Sequence, residues 1–361
     1  MTVLGLHHIT LVSTDAQRTA DFYTRVLGQR LVKKTVNFDD PSSYHLYFGN
    51  ETGAPATAIT YFEWKHVPKG LAGIGGTHHY ALRVRDYDGL LKWKRRLVDL
   101  GYRVSGPYDR HYFKSIYFTD PDGVIIEIAT DGPGMGIDED KVGTELRHPP
   151  EAMMLANRDE ETISKIMWEE PVPIITEDMA LMSGMHHISA ISSDIQRTDA
   201  FYSELFGLQK VKMTSNFDDP NSAHWYWGVD DGQPGSLITY FERDPNNTRP
   251  VRMGSGLTHH FAFAVENEDV QADYQEKLRK AGYRVSQILD RVYFRSIYTS
   301  DPDGHIVELA TVGPGFLHDE GEAELGTGLM LPPWLESQRD LIENRLSPIE
   351  VAEWQKPEVV K

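Results

Sequence analysis

Four histidine pairs recur along the chain, at His7-His8, His78-His79, His186-His187 and His259-His260. Two of them precede a glutamate at the same distance, since 127 − 79 and 308 − 260 both equal 48. Imidazole and carboxylate on separate strands can converge inside a sheet, and three such ligands leave coordination positions free for a substrate. The chain has no cysteine and 15 histidines, so any metal is held by His, Asp or Glu, and thiolate chemistry and disulfides are excluded.

The elements that would position these groups are legible. Leu4 to Val12 alternates as a strand does. Ser13-Thr14-Asp15 then offers N-cap chemistry for a helix through Phe22, Tyr23, Val26 and Leu27, stopped by Gly28. Asn37 to Pro41 is predicted as a loop, followed by strands over Tyr44 to Phe48 and Ala58 to Glu63. After the glycine-rich Gly70 to Gly76, the same grammar restarts at Thr77. It runs through a helix over Tyr87 to Leu100 and a strand over Tyr112 to Phe118. An Asp120-Pro121-Asp122-Gly123 turn then feeds Val124 to Ala129.

The second half repeats both units. His187 against His8 and Asn216 against Asn37 are offset by 179, whereas His260 against His79 and Glu308 against Glu127 are offset by 181, which places a two-residue insertion before the second unit of the later half. The expected organisation is two units over 1–131, a linker over 132–183 with a helix from Asp159 to Trp168, two units over 184–315, and a tail over 316–361 with a helix from Glu336 to Leu346. The linker is expected to pack on the surface, and the tail to cap a barrel or a homo-oligomeric interface.

Bulk composition is that of an ordinary globular protein: 40% hydrophobic residues suffice for cored domains, roughly two at this length. A net charge of −18 argues against nucleic acid or an anionic membrane as partner. No apolar run approaches the ~18 residues of a membrane span, and no signal pattern opens the chain, so a cytoplasmic location is expected by default.

With His on the first strand of a unit and Glu on the last, after the Asp-Pro-Asp-Gly turn, the chain resembles the vicinal oxygen chelate superfamily. Gly5-Leu6-His7-His8-Ile9-Thr10, Tyr44 to Gly49 and the His259-His260 to Glu308 unit resemble, within it, the hydroquinone and chlorohydroquinone ring-cleaving dioxygenases. The resemblance implies an α+β fold in which four βαβββ modules form two half-open barrels with helices outside, as in glyoxalases and extradiol dioxygenases. It also implies iron(II) held by His8, His260 and Glu308, with manganese, nickel or zinc as alternatives. Supporting residues would be His7, Thr10, His259, Arg291 and Tyr298, acting on a small aromatic substrate and O2.

Strand alternation supports part of this independently. His260 shares a face with Ala262 and Ala264, Glu308 with Ala310, and His8 with Thr10, so small side chains beside the ligands would leave room for a ring. The opposite faces, Phe261 with Phe263 and Val307 with Leu309, read as core. The same alternation turns His7 and His259 away from that cavity, unless the strands bulge there or these histidines act from behind the ligands.

His79, His187 and Glu127 are the repeat images of the ligand set, and Arg110 and Tyr117 those of Arg291 and Tyr298. Arg83 in place of Ala264 weighs against a second metal there, because a guanidinium on that face opposes a cation. Units one and four would share a barrel as in the resembled family, although pairing of neighbours is also compatible with the sequence. Two rivals stand beside the dioxygenase reading. One is a glyoxalase-type lyase or isomerase with nickel or zinc and an extra ligand, Glu63 or Glu242, and the other a metal-free protein that sequesters aromatic compounds.

Overall fold

The computed structural model describes residues 2–181 and 183–358. One position of the expected linker, Met182, and the last three of the tail lie outside the described residues, as does Met1.

The first unit contributes β1 (Gly5–Ser13), helix α1 (Ala16–Asp21), β2 (Arg30–Asn37), β3 (Asp40–Gly49) and β4 (Ala58–Glu63). The second contributes β5 (Thr77–Val84), α2 (Tyr87–Asp99), β6 (Ser105–Asp109), β7 (Lys114–Thr119) and β8 (Ile125–Thr130). The linker adds β9 (Leu146–Arg147) and α3 (Glu160–Lys165). The third unit supplies β10 (Met185–Ser192), α4 (Ile195–Asp199), β11 (Gln209–Ser215), β12 (Ala223–Gly228) and β13 (Leu237–Glu242), and the fourth β14 (Thr258–Val265), α5 (Glu268–Lys280), β15 (Leu289–Asp290), β16 (Arg295–Ser300) and β17 (Ile306–Thr311). A last helix, α6, spans Arg339–Glu343.

The chain folds into two sheets, and each draws on both halves of the sequence. One has the order β15-β16-β17-β14-β1-β4-β3-β2, the other β6-β7-β8-β5-β10-β13-β12-β11-β9. Units one and four therefore share one half-open barrel and units two and three the other. The seams between units, β1 against β14 and β10 against β5, are antiparallel and carry the histidine pairs. The connectors that cross between barrels also pair with each other, Leu71 N donating to Arg252 O and Arg252 N to Leu71 O, each at 2.9 Å. The two extra residues of the later half fall in its connector, between Glu242 and Thr258.

The helices cap as their sequences predict. Asp15 accepts from Arg18 N, Asp86 from Gly89 N and Asn267 from Val270 N. Leu90, Trp93 and Leu97 of α2 lie on one stripe and are fully buried against the sheet. Phe261, Phe263, Val307 and Leu309 are buried in the same main core.

Several expectations need correction. The first helix is only six residues long and passes into a π-helical turn over Phe22–Val26 before Gly28, at φ +68°, ends it. The expected loop Asn37 to Pro41 is a tight hairpin, with Asp40 and Pro41 already in β3. The linker helix is confined to Glu160–Lys165, and the tail helix is a 3-10 turn at Glu336–Gln338 leading into α6. These short segments have little apolar stripe to bury, so their ends are set by what they pack on. Among the described residues, no helix is long and apolar enough to cross a membrane.

Candidate metal centre

β1, β14 and β17 bring His8, His260 and Glu308 to one point inside the first barrel. His8 Nε2 lies 3.2 Å and His260 Nε2 2.9 Å from Glu308 Oε2, and the two Nε2 atoms are 3.3 Å apart. Donors about 2.1 Å from a common ion and at right angles to one another are about 3.0 Å apart, so this triangle fits a metal. Glu308 is 0% exposed, and its Oε2 finds no hydrogen-bond donor besides these imidazoles. Burial raises a carboxyl group, but His8 and His260 more than offset this and hold Glu308 well below the usual carboxylate range.

The histidine pairs resolve the facing conflict. Register shifts leave His7 as the extra residue between Leu6, opposite Phe263, and His8, opposite Ala262. A second shift leaves His259 unpaired between Thr258 and His260. These β-bulges let both members of each pair lie together: the Nδ1 atoms of His7 and His8 are 2.9 Å apart, and those of His259 and His260 are 2.8 Å apart. His7 and His259 thus stand behind the ligands. Burial is the main cause that pulls both imidazoles down to about 3, so they are neutral at ordinary pH.

Thr10 is where alternation places it, its Oγ1 3.0 Å from His260 Nε2 and 2.8 Å from Thr60 Oγ1. Arg291 and Tyr298 line the cavity, with the guanidinium 5.5 Å from the Tyr298 ring. The Tyr298 ring meets His260 edge-on at 5.5 Å. Arg291 pairs with Asp39 at 3.3 Å, across the barrel, whereas Asp290 is taken by Arg295.

Sequence reasoning missed His45 and Tyr47, which also line the cavity. They continue a chain from Thr60, with His45 Nε2 2.9 Å from Thr60 Oγ1 and Tyr47 OH 3.0 Å from His45 Nδ1. Their alternation on β3 and their repeat as His224 and Tyr226 were the available signals. The expectation of room beside Ala262 and Ala310 is overturned. Tyr293, Phe294 and Phe316 pack against those alanines, and the cavity at this centre is only about 30 Å³.

Glu63 and Glu242 do not serve as extra ligands. Glu63 Oε1 accepts from Ala16 N at 3.0 Å and Glu242 Oε1 from Ile195 N at 3.1 Å, each capping a helix. Glu63 shares its strand face with Tyr61, which bonds Asp120, while the metal centre is reached from the other face by Thr60 and Phe62.

The second set converges equally well. His79 and His187 Nε2 lie 2.9 and 3.0 Å from Glu127 Oε2 and 3.2 Å from each other. Arg83 does not oppose a cation here, because its Nε and Nη2 form a two-pronged ion pair with Asp131.

Paired βαβββ units with the two histidines on the seam strands and the glutamate on the strand beside them define a class. The chain belongs to the Glyoxalase/Bleomycin resistance protein/Dioxygenase superfamily, which it matches over residues 5–128 and 184–309. It is 32% identical to the "Putative ring-cleaving dioxygenase MhqO" of Bacillus subtilis over 97% of this chain and 98% of that one. It is 30% identical to the chlorohydroquinone/hydroquinone 1,2-dioxygenase of Sphingobium indicum, over 96% and 97% of the two chains. A crystal structure of a dioxygenase so described from Bacillus subtilis superposes with TM-score 0.77 at 30% identity, covering 98% of this chain and 99% of that one. Glyoxalase I from Zea mays shares the fold alone, at TM-score 0.56 and 15% identity over 85% and 92% of the two chains.

Proposed function

We propose that this protein is an iron(II)-dependent ring-cleaving dioxygenase that opens a hydroquinone- or catechol-type ring with O2. The observation that carries the reading is the buried His8, His260 and Glu308 triangle, a two-histidine, one-carboxylate donor set of the kind that suits non-heme iron. The dioxygenase names of relatives aligned over nearly the whole chain support it. Bound iron would supply Lewis acidity and one-electron chemistry to join both atoms of O2 to the ring as a carbon–carbon bond opens.

The protein's own groups orient the reaction. His7 and His259 accept the Nδ1 hydrogens of His8 and His260, so both ligands present Nε2 to the centre. Arg291 and Tyr298 donate to a ring oxygen and favour its negative charge. His45, which lines the cavity and is held between Tyr47 OH and Thr60 Oγ1, is placed to accept the phenolic proton. Burial first, then the neighbouring imidazoles, keep His45 well below the usual imidazole range, so it is neutral and able to accept.

Substrate entry needs the Phe38–Asp39 turn to move. That turn is held by the Arg291–Asp39 pair, whose carboxylate is 77% exposed, and exposed pairs contribute only about 0–1 kcal/mol. Anaerobic iron loading followed by oxygen-electrode assays on hydroquinones and catechols tests the proposal. Glu308→Gln is expected to lose the iron of this centre and to lower O2 uptake with unsubstituted hydroquinone by about a hundredfold or more. Full activity and iron content in that variant would overturn the ligand assignment.

A further inference from the structure

We infer that His79, His187 and Glu127 form a second metal centre, and that its cavity takes aromatic diols bearing an acidic substituent. The inference rests on the reading of the first centre for the chemistry but on separate residues for the site. Glu127 is 0% exposed, and neither of its carboxylate oxygens has a hydrogen-bond partner besides the two imidazoles. At the first centre Ser296 donates to Glu308, whereas the matching Ser115 leaves its hydroxyl unpaired. A buried carboxylate with so little support calls for a cation. The supporting histidines are repeated too, with Nδ1–Nδ1 distances of 2.8 Å for His78 and His79 and 2.9 Å for His186 and His187, on bulges of the same register.

The two cavities differ in what closes them. The second measures about 410 Å³ against about 30 Å³ for the first. A volume of ~300 Å³ or more is ordinary for a small-molecule site. Over the first centre the hairpin turn at Phe38 and Asp39 folds down onto Arg291, and Phe38 rests on Trp334 of the tail at 5.6 Å. The matching residues 216–222 form a longer connection between β11 and β12, where Leu155 N of the linker bonds Phe217 O at 2.9 Å.

The linker also brings Arg158 to this cavity, and the first cavity's lining holds no counterpart of it. Its side chain is 5% exposed and its Nη2 donates to Asp218 at 2.7 Å, but Nε and Nη1 have no hydrogen-bond acceptor. Nε lies 3.2 Å from Glu160 Oε1 without forming a bond. Arg110, whose own contact with Asp218 is a long 3.5 Å, stands beside it over the Tyr108 and Tyr117 rings. Arg110 and Arg158 together line this cavity, whereas the first has Arg291 alone and too little space, so the second suits a ring that carries a carboxylate.

The test counts metal and measures binding. After anaerobic loading with iron(II) and desalting, the wild-type chain is expected to hold two ions, Glu127→Gln one and Glu308→Gln one. One ion in the wild type, unchanged in Glu127→Gln, would overturn the second centre and leave the first intact. Two ions in Glu308→Gln, with one in Glu127→Gln, would instead overturn the ligand set assigned to the first centre. His79→Asn, compared by thermal melting with the wild type, guards against loss through misfolding: a folded variant that keeps both ions also overturns the inference. For the ligand class, anaerobic calorimetry with 2,5-dihydroxybenzoate and hydroquinone is compared in Arg158→Gln. Binding of the acid is expected to weaken about tenfold or more, with hydroquinone unchanged. Equal effects on both, or none, would overturn recognition of the acidic group.

Discussion

At each candidate ligand imidazole a second histidine lies against Nδ1 and leaves Nε2 to face the centre. That arrangement fixes tautomer and ring plane together, which is how groups behind the ligands tune a metal site. His259→Leu is therefore expected to fold, since its side chain is partly exposed, yet to bind iron roughly 10–100-fold more weakly in a chelator competition. An unchanged affinity would reduce His259 to a packing residue. At this scale the candidates were legible: the family resemblance implies His8, His260 and Glu308, residue type, repeat and alternation agree with them, and the structure brings the three together. The sequence leaves the facing of His7 and His259 open between a bulge and a place behind the ligands. The structure shows both, because a bulge reverses the facing that alternation assigns and leaves no mark in residue type.

Among the elements, the barrel edges are fastened by a device that sequence reading passed over. Lys33 on β2 is fully buried and meets Asp319, at 2.6 Å, and Glu320, both following β17. Lys212 on β11 repeats this with Asp138, at 2.6 Å, and Glu139 after β8. Each clamp ties the outer strand of one unit to the segment leaving its partner unit. Removing one member of such a cluster leaves buried charge unpaired, so Lys33→Met is expected to cost about 3 kcal/mol, the low end because Asp319 retains some water. A shift below about 1 kcal/mol in urea denaturation would show that the clamp is dispensable. The succession of strands and helices within a unit, and the cap at Asp15, were readable from period and turn chemistry. The clamp was not, since the lysines and their carboxylates lie more than seventy residues apart.

For the molecule as a whole, burial sets the pH response of stability. His7, His78, His186, His259 and His305 are each pulled down to about 3, burial being the largest cause. Their unfolded value is about 6.5, so between pH 6.5 and 3 the unfolded chain binds five protons that the folded chain refuses, and stability falls as pH is lowered through that window. Asp120 and Asp301, raised by burial to about 6, act oppositely: between about pH 6 and 4 the folded chain binds two protons more readily than the unfolded one. For these seven groups the net is three protons taken up on unfolding in that range, a loss of about 4 kcal/mol per pH unit at the steepest. His45, His79, His224 and His260, also pulled down chiefly by burial, act in the same direction. Metal-free protein is expected to show a denaturation midpoint that drops steeply from pH 7 to 5.5. A flat profile would contradict the neutral buried histidines.

The duplicated units and the two candidate His-His-Glu triads are written in the chain itself, because residue type, period and offset are local quantities that repetition makes visible. Which units share a barrel, how large each cavity is and where Arg83, Glu63 and Arg158 direct their side chains depend on contacts between residues distant in sequence. The Arg83 guanidinium, which sequence reading sets against a cation, is neutralised by Asp131. Two near-identical ligand sets end in cavities of very different size, because one lies under a hairpin held by the tail and the other under a longer loop braced by the linker. Local pattern sets which groups can do chemistry; packing between distant segments sets which of them a substrate can reach.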